Sequence, residues 1–570
     1  MFTASRVQFR LAGVRLDGAL SEIPQEKKRR DPATWLMAAL VLLICFFSNL
    51  GAMGLVGPDE PRYVWIARAM AETGDWVTPR LYGQPWFEKP ILYYWAAGAG
   101  FRLHFPAEWA ARLPSALGAL AAALAIGWLA RRFYGDDAVA PLSSDLLAPL
   151  IFSTSIAGIG FSRAATPDML FSASIALAMA AAAHVFWRAG ALSSELESHS
   201  GLRRLDFASI ALFGAFLGIA VLAKGPAAII LAGGAIGLWA LATKQWRVAF
   251  RIAHPVAIAS FCVVALPWYV LCAVRNPDFI HIFIFEHNFE RYLTPMFRHP
   301  QPFWFFLPIT LVAILPWSVF RWPAFQEALR VWREKSWGRS PGFFFGCWAI
   351  FPVVFFSFSQ SKLPGYVLPA VPPLVLLCTV SALRGLQYSL RAQRTLLTGI
   401  GISWVLLGFA AAYAIGRINA ELAGLSHFFG GTAVVIGLLL IAASFYRGGQ
   451  LVIPLCILFV AASLEAANVG LLPALDRFYS ARPHAAFMRN DVRPDRIFTY
   501  QLPRSWDYGL AFYFRRELPE WNPEDSDAAL LLTTPAGLRE LIKRDRFRGS
   551  LSEKDEGILY VPVMRVVAPR

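Results

Sequence analysis

Seven residues, Gly57-Pro58-Asp59-Glu60-Pro61-Arg62-Tyr63, place two carboxylates, a guanidinium and a phenol directly after an apolar run from Trp35 to Val56. Ionisable groups at a membrane boundary are costly to desolvate, so function is the default explanation for them. Other polar sets interrupt the apolar chain: Tyr82; Glu88 and Lys89 in Phe87-Glu88-Lys89-Pro90; Arg163 and Asp168 in Ser162-Arg163-Ala164-Ala165-Thr166-Pro167-Asp168; Lys224 before Gly225-Pro226; Glu286, His287, Arg291 and Tyr292; Lys362 and Tyr366. They offer acids, bases and phenols rather than one charge sign. That mixture suits chemistry on an amphiphile with an anionic headgroup. If the substrate is a lipid-linked phospho-sugar, the leaving lipid phosphate gains negative charge as the glycosidic bond breaks. Lys89, Lys224 and one or both of Arg62 and Arg291 can neutralise it. A carboxylate on the other face of the sugar can act as base or hold acceptor or sugar. Asp59 is the first candidate and Asp168 the second, with Glu60, Tyr63, Tyr82, Glu88, Arg163 and Tyr366 as further substrate-binding positions. Glu88 and His287 have ligand types that zinc accepts, but two ligands do not complete a tetrahedral site. No Gly-rich nucleotide loop occurs among the external segments, so the activated bond must lie in the donor and no cofactor is required.

Each residue also has a structural explanation. Asp59 and Glu60 suit the start of a helix near Pro61, and Asp168 opens a span after Pro167. Lys224 can extend from a span end to headgroups. Arg291, Tyr292 and Tyr366 fit an interfacial belt. Glu88 and His287 fit a salt bridge and a satisfied histidine.

The elements that must position these groups are transmembrane. The chain has 570 residues, 56% hydrophobic and 16% charged, with a mean hydropathy of +0.48. This excludes a soluble protein, and the long apolar runs exclude a transmembrane barrel. Windows of about 20 apolar residues give about thirteen spans between residues 34 and 473. The net charge of +15 has its simplest source in cytoplasmic loops. With a cytoplasmic N-terminus, Arg131-Arg132, Arg203-Arg204, Lys244 with Arg247, Arg321 to Arg339, Arg384 to Arg394 and Arg447 all fall inside, as the positive-inside rule requires. The C-terminus then lies outside. Nucleic acid is a poor partner, because no basic run with interleaved aromatics lies on a soluble face. The six cysteines sit in apolar spans and form no metal or disulfide pattern. Residues 1–33 form a basic cytoplasmic segment without a cleavable signal peptide.

Residues 474–570 change character. Charged sequence with β-like runs (497–500, 528–532, 559–566) and helix-like runs (505–517, 535–544) predicts a small soluble α/β domain on the external side. The first external loop, about 57–106, should carry an amphipathic helix over 61–72, with Val64, Trp65, Ala67 and Met70 on the membrane surface.

An acidic pair in the first external loop of a polytopic protein resembles the GT-C glycosyltransferases, which take sugars from polyprenyl phosphates. The string GPDEPRY, followed by FEKPILYYW, SRAATPDM, AKGP and SKLPGY, closely resembles the bacterial aminoarabinose transferases of lipid A over about 57–370. The resemblance implies a GT-C fold with about thirteen spans and a small periplasmic domain. It implies transfer of 4-amino-4-deoxy-L-arabinose from undecaprenyl phosphate to lipid A phosphates at the periplasmic face of the bacterial inner membrane. Polymyxin and cationic-peptide resistance would follow. The family's functional positions fall on Asp59, Arg62, Tyr63, Tyr82, Glu88, Lys89, Asp168, Lys224, Arg291 and Tyr366. An inverting displacement, a monomeric enzyme and contact with membrane lipids are expected. The rivals are a GT-C enzyme with another sugar or with a protein or glycan acceptor, and a transporter of lipid-linked sugars.

Overall fold

The structure is a computed structural model. It describes residues 31–562 apart from 136–137, 140–141, 189–203, 291–300, 386–388, 447–448, 492–496, 522–529, 544–553 and 556–557. Helix α1 (Pro32–Phe47) begins at Asp31, whose carboxylate accepts from the Ala33 amide at 3.1 Å and the Thr34 hydroxyl at 2.9 Å. It ends at Ser48, well before the apolar run does. Asn49 takes a φ of 41° and Gly57 a φ of 67°, so residues 48–58 form a looped, partly buried segment instead of helix. Backbone outside a helix must be satisfied internally at membrane depth. Arg112 does this, donating to the carbonyls of Leu50 at 2.8 Å, Met53 at 2.6 Å and Gly54 at 2.7 Å.

Helix α2 (Asp59–Thr73) follows, then a hairpin of β1 (Arg80–Leu81) and β2 (Gln84–Pro85), and α3 (Leu92–Arg102). The hairpin turn uses Tyr82 (φ 52°) and Gly83 (φ 81°), the pair of positive φ angles that a two-residue turn demands. Contrary to expectation, α2 does not lie on the membrane surface. Val64, Ala67 and Met70 are fully buried with Ile66, and pack with Tyr93, Tyr94 and Ala97 of α3. Trp65 is half-buried against the Tyr82 ring, centroids 4.9 Å apart. The helix carries apolar residues on more than one face, so it is sandwiched rather than floated.

The bundle continues with α4 (Ala107–Tyr134), α5 (Ser144–Ser153), α6 (Ile156–Ser162), α7 (Asp168–Arg188), α8 (Arg204–Lys224) and α9 (Ala227–Thr243). Among the described residues, eight helices are long and apolar enough to cross a membrane, or ten if each bent pair counts as one span. The bent pairs are α5 with α6, at 65°, and Phe303–Ala313 with Trp317–Arg333, at 110°. Three shorter apolar helices are α1, α9 and Pro341–Ser357. Helix α7 is the most buried of the long apolar helices among the described residues. Small residues on α4 allow close approach: a Cβ on Gly127 would stand 2.9 Å from the Asp145 carbonyl oxygen of α5.

Beyond the bundle, strand Ile497–Tyr500 pairs in parallel with Leu530–Thr533. That strand pairs antiparallel with Ile558–Pro562, which pairs antiparallel with Lys554–Asp555. Helix Arg504–Phe514 packs Leu510 and Phe514 with Ile497, Leu532 and Ala485. The same helix is clamped onto the first loop. Arg68 of α2 donates to the Phe512 carbonyl at 3.0 Å and lies 4.1 Å above its ring. The Tyr513 hydroxyl receives the Leu55 amide and donates to Glu108, each at 2.9 Å. Asp476 accepts from the Gly54 amide at 2.7 Å and from Arg482, which also reaches the Gly51 carbonyl at 2.9 Å.

Candidate active site

Helix α2 sets the first constellation. Asp59, Glu60, Arg62 and Tyr63 occupy its first two turns, where consecutive side chains point about 100° apart. Asp59 and Arg62, three apart, meet at 2.6 Å. The same Arg62 Nη2 reaches Glu88 Oε2 at 2.8 Å, and Lys89 Nζ reaches Glu88 Oε1 at 3.1 Å. Acid and base thus alternate along Asp59–Arg62–Glu88–Lys89. The side chains of Arg62, Glu88 and Lys89 are 10%, 10% and 14% exposed, whereas Asp59 is 50% exposed. One carboxylate of the chain therefore faces outward while the rest orient it. Burial opposes the Arg62 charge, and Glu88, Tyr63 and Asp59 more than restore it, so the guanidinium titrates above its ordinary range. Burial, with Glu88 and Asp59 added, drives the Tyr63 phenol well up. It remains a proton donor at any physiological pH.

Glu60 points elsewhere. Its Oε2 accepts from the Val56 amide and Arg112 Nη2, both at 2.9 Å, and its Oε1 from the Ala165 amide at 2.8 Å. A carboxylate so engaged is a structural joint, and the substrate-binding expectation for Glu60 is corrected. The joint ties α2 to α4 and to the turn before Asp168. Arg163 is likewise turned away. It donates to Asn468 Oδ1 at 2.8 Å and the Asn49 carbonyl at 3.2 Å, bracing the end of α1.

The second constellation lies where α7 starts and α8 ends. Asp168, the first residue of α7, forms an ion pair with Lys224, the last of α8. Gly225 (φ 93°) and Pro226 then turn the chain into α9, which presents the ammonium at a fixed place. Lys224 Nζ lies 5.0 Å from the Tyr366 ring centroid and 5.7 Å from that of Phe171. Gly365 permits this approach, since a Cβ there would meet Phe161 at 3.0 Å and Asp168 Oδ1 at 3.4 Å. Lys362 instead donates to the Ser359 carbonyl at 2.6 Å and the Gln301 carbonyl at 3.1 Å. The two constellations flank one apolar cluster holding Tyr63, Tyr94, Ala165, Leu222 and Phe283.

Tyr82 packs against Trp65 and, at 6.3 Å between centroids, against Tyr508 of helix Arg504–Phe514. Burial raises its phenol pKa, with Asp507, Tyr508 and Glu517 adding to it. His287 lies on the helical segment His281–Glu290. Among the described residues no group of three or more His, Cys, Asp or Glu could hold a metal ion; Glu88 already serves Arg62 and Lys89. Arg291 lies outside the described residues. Sequence reasoning missed Arg112, Arg68, Tyr508 and Tyr513. A lone arginine within an apolar helix was a usable signal for Arg112; nothing local marked the others.

A family model described as dolichyl-phosphate-mannose-protein mannosyltransferase matches residues 33–283. The chain is 31% identical over 345 residues to an undecaprenyl phosphate-alpha-4-amino-4-deoxy-L-arabinose arabinosyl transferase of Edwardsiella ictaluri, covering 60% of this chain and 58% of that one. It is 30% identical over 373 residues to the transferase of the same description from Pseudomonas aeruginosa, covering 65% and 64%. The matches thus span less than two thirds of these relatives. The crystal structure of ArnT from Cupriavidus metallidurans bound to undecaprenyl phosphate superposes with a TM-score of 0.75 at 23% identity, covering 95% of this chain and all of that one. The fold is shared with that structure: a mostly helical architecture in which, among the described residues, eight to ten helices are long and apolar enough to cross a membrane.

Proposed function

We propose that this chain transfers 4-amino-4-deoxy-L-arabinose from undecaprenyl phosphate to lipid A phosphate groups. The printed functions of the curated relatives support the donor and the reaction. The observation that carries the reading is the alternating chain Asp59–Arg62–Glu88–Lys89 with its single outward carboxylate. In this reading the bundle has thirteen spans: the eight long helices, the two bent pairs and the three shorter apolar helices. The N-terminus is cytoplasmic, and residues 474–570 and the site lie on the periplasmic side of the inner membrane. The enzyme works as a monomer and needs no cofactor.

The chemistry is a single inverting displacement. An ionised oxygen of the lipid A phosphate forms the new bond to the anomeric carbon. The bond to the donor phosphate oxygen breaks, and its electron pair leaves with undecaprenyl phosphate. A phosphate monoester is largely a dianion near neutral pH, its second pKa being about 6, so the acceptor needs little general-base help. Asp59 then orients acceptor or sugar, with the sugar ammonium its natural partner. Lys89 and Lys224 bring two ammonium charges to the site, and these stabilise the growing charge of the leaving phosphate. Tyr63, Tyr82 and Tyr366 complete the headgroup site. Capping lipid A phosphates with a cationic sugar lowers surface negative charge, and resistance to polymyxin and cationic peptides follows.

The test is mass spectrometry of lipid A from cells lacking their own aminoarabinose transferase, supplied with this protein or its Asp59→Asn form. An aminoarabinose adduct with the unaltered chain and none with the variant supports the reading. No adduct with well-expressed protein and abundant donor overturns the acceptor assignment. The mannosyltransferase family match over residues 33–283 makes a protein acceptor the next hypothesis in that case.

A further inference from the structure

The Arg62 guanidinium sits in an aromatic enclosure. Its Cζ lies 5.3 Å from the Tyr63 ring centroid, 5.7 Å from Trp86 and 5.7 Å from Tyr508. Tyr63 and Trp86 belong to the first external loop, but Tyr508 comes from helix Arg504–Phe514, more than 400 residues later in the chain. Arg62 Nη2 serves both Asp59 and Glu88, while its buried Nε has no hydrogen-bond partner among the described residues. A cation removed from water with an incomplete donor set gains from aromatic faces around it. Tyr508 also abuts Tyr82. The helix that carries it is anchored by groups other than its own ring: Arg68 on Phe512, and Tyr513 between Leu55 and Glu108.

We propose that Tyr508 is a positioning residue for the polyprenyl phosphate site: its ring holds Arg62, and through it Asp59 and the Glu88–Lys89 pair, in the arrangement that receives the lipid phosphate. The inference rests on the donor assignment above. It makes the C-terminal unit part of the substrate site rather than an appendage. The ring face is what matters, so Tyr508→Phe retains function, and Tyr508→Leu, which keeps apolar volume without a π face, does not.

The experiment measures undecaprenyl phosphate binding to purified full-length protein in lipid nanodiscs. The variants are Tyr508→Phe, Tyr508→Leu, Arg62→Ala and the double Arg62→Ala/Tyr508→Leu. Melting temperature is recorded for each. The expected result is unchanged binding for Phe and about tenfold weaker binding for Leu, with the melting temperature kept because the helix anchors are untouched. In the double variant the Leu change adds nothing beyond the Arg62→Ala loss, since Tyr508 acts through Arg62. Leu binding like wild type, or losses that multiply in the double variant, would overturn the proposal. If Leu lowers the melting temperature, the Phe variant and the cycle decide: restoration by Phe with a non-multiplying double supports a positioning role. Failure of the unaltered protein to bind the lipid at all rejects the donor assignment itself, and this inference with it.

Discussion

Asp59 and Glu60 are adjacent, chemically similar and both in the first turn of α2, yet their removal should have opposite consequences. Glu60 accepts three hydrogen bonds, one from Arg112, and both side chains of that pair are under 10% exposed. Glu60→Ala leaves the buried Arg112 guanidinium hydrogen-bonded to the carbonyls alone, a loss of about 3–5 kcal/mol for a broken buried pair. It also orphans the Val56 and Ala165 amides, although water entering the space offsets part of that cost. At the ~2 °C per kcal/mol that large domains show, the apparent melting temperature falls by roughly 6–10 °C. Asp59 is half exposed, and its pair with Arg62 contributes about 0–1 kcal/mol after solvent screening. Asp59→Asn therefore melts within about 2 °C of the unaltered protein while abolishing transfer. The assay is a heat challenge of purified protein followed by size-exclusion chromatography, run beside lipid A mass spectrometry. Replacing both Glu60 and Arg112 by methionine should regain part of the loss, because no unpaired charge remains. A Glu60→Ala protein that melts normally, or an Asp59→Asn protein that melts as low as Glu60→Ala, would refute the division between joint and working carboxylate.

Three further expectations share these premises. Lys224→Met or Asp168→Asn removes one half of the pair that links α8 to α7, and each should lower transfer by at least about 100-fold, comparable to losing one charge-stabilising donor, in the same lipid A assay. Gly54→Ala puts a Cβ into Ser480, 2.7 Å from the Tyr513 hydroxyl and 2.9 Å from Arg482 Cβ. That overpacking costs about 1–3 kcal/mol and should expose the chain beyond Ser480 to limited proteolysis. Asp507 has its carboxyl raised by burial, then by Glu517 and Glu520. A raised carboxyl favours the fold while protonated, and that contribution is lost as pH climbs through the folded-state value. Asp507→Asn should therefore melt higher than the unaltered protein at neutral pH, with the difference closing near pH 4.

The clustered charged positions were more legible in the sequence than the packing that supports them. Asp59, Arg62, Glu88 and Lys89 stand out because charge at a membrane boundary is rare, and the structure joins them in one chain of contacts. Asp168, Lys224 and Tyr366 stand out for the same reason and also meet. A string cannot separate Asp59 from Glu60: one residue along a helix rotates the side chain by about 100°, and which side faces the substrate depends on packing. Arg163 misled for a similar reason, since its partner Asn468 lies 305 residues away. The first apolar run looked like one long span because hydropathy does not register the glycines at 51, 54 and 57 or the buried arginine that satisfies a loop. Helix α2 looked amphipathic because its partners, α3 and helix Arg504–Phe514, are invisible to local periodicity.

The grip of the C-terminal unit on residues 51–55 has a temporal consequence. Gly54 and Asp476 are 422 residues apart, and Leu55 and Tyr513 are 458 apart. At synthesis rates of about 5–20 residues per second, the second partner emerges roughly 20–90 s after the first. Arg112 can secure the loop early, but Tyr513 and Tyr508 arrive only once the whole bundle has been inserted. A partly made chain therefore holds Arg62 and the first-loop backbone before the Tyr508 ring and the Tyr513 hydroxyl arrive to meet them. Under the proposed function, transfer activity doubles as a report that biogenesis has reached its end.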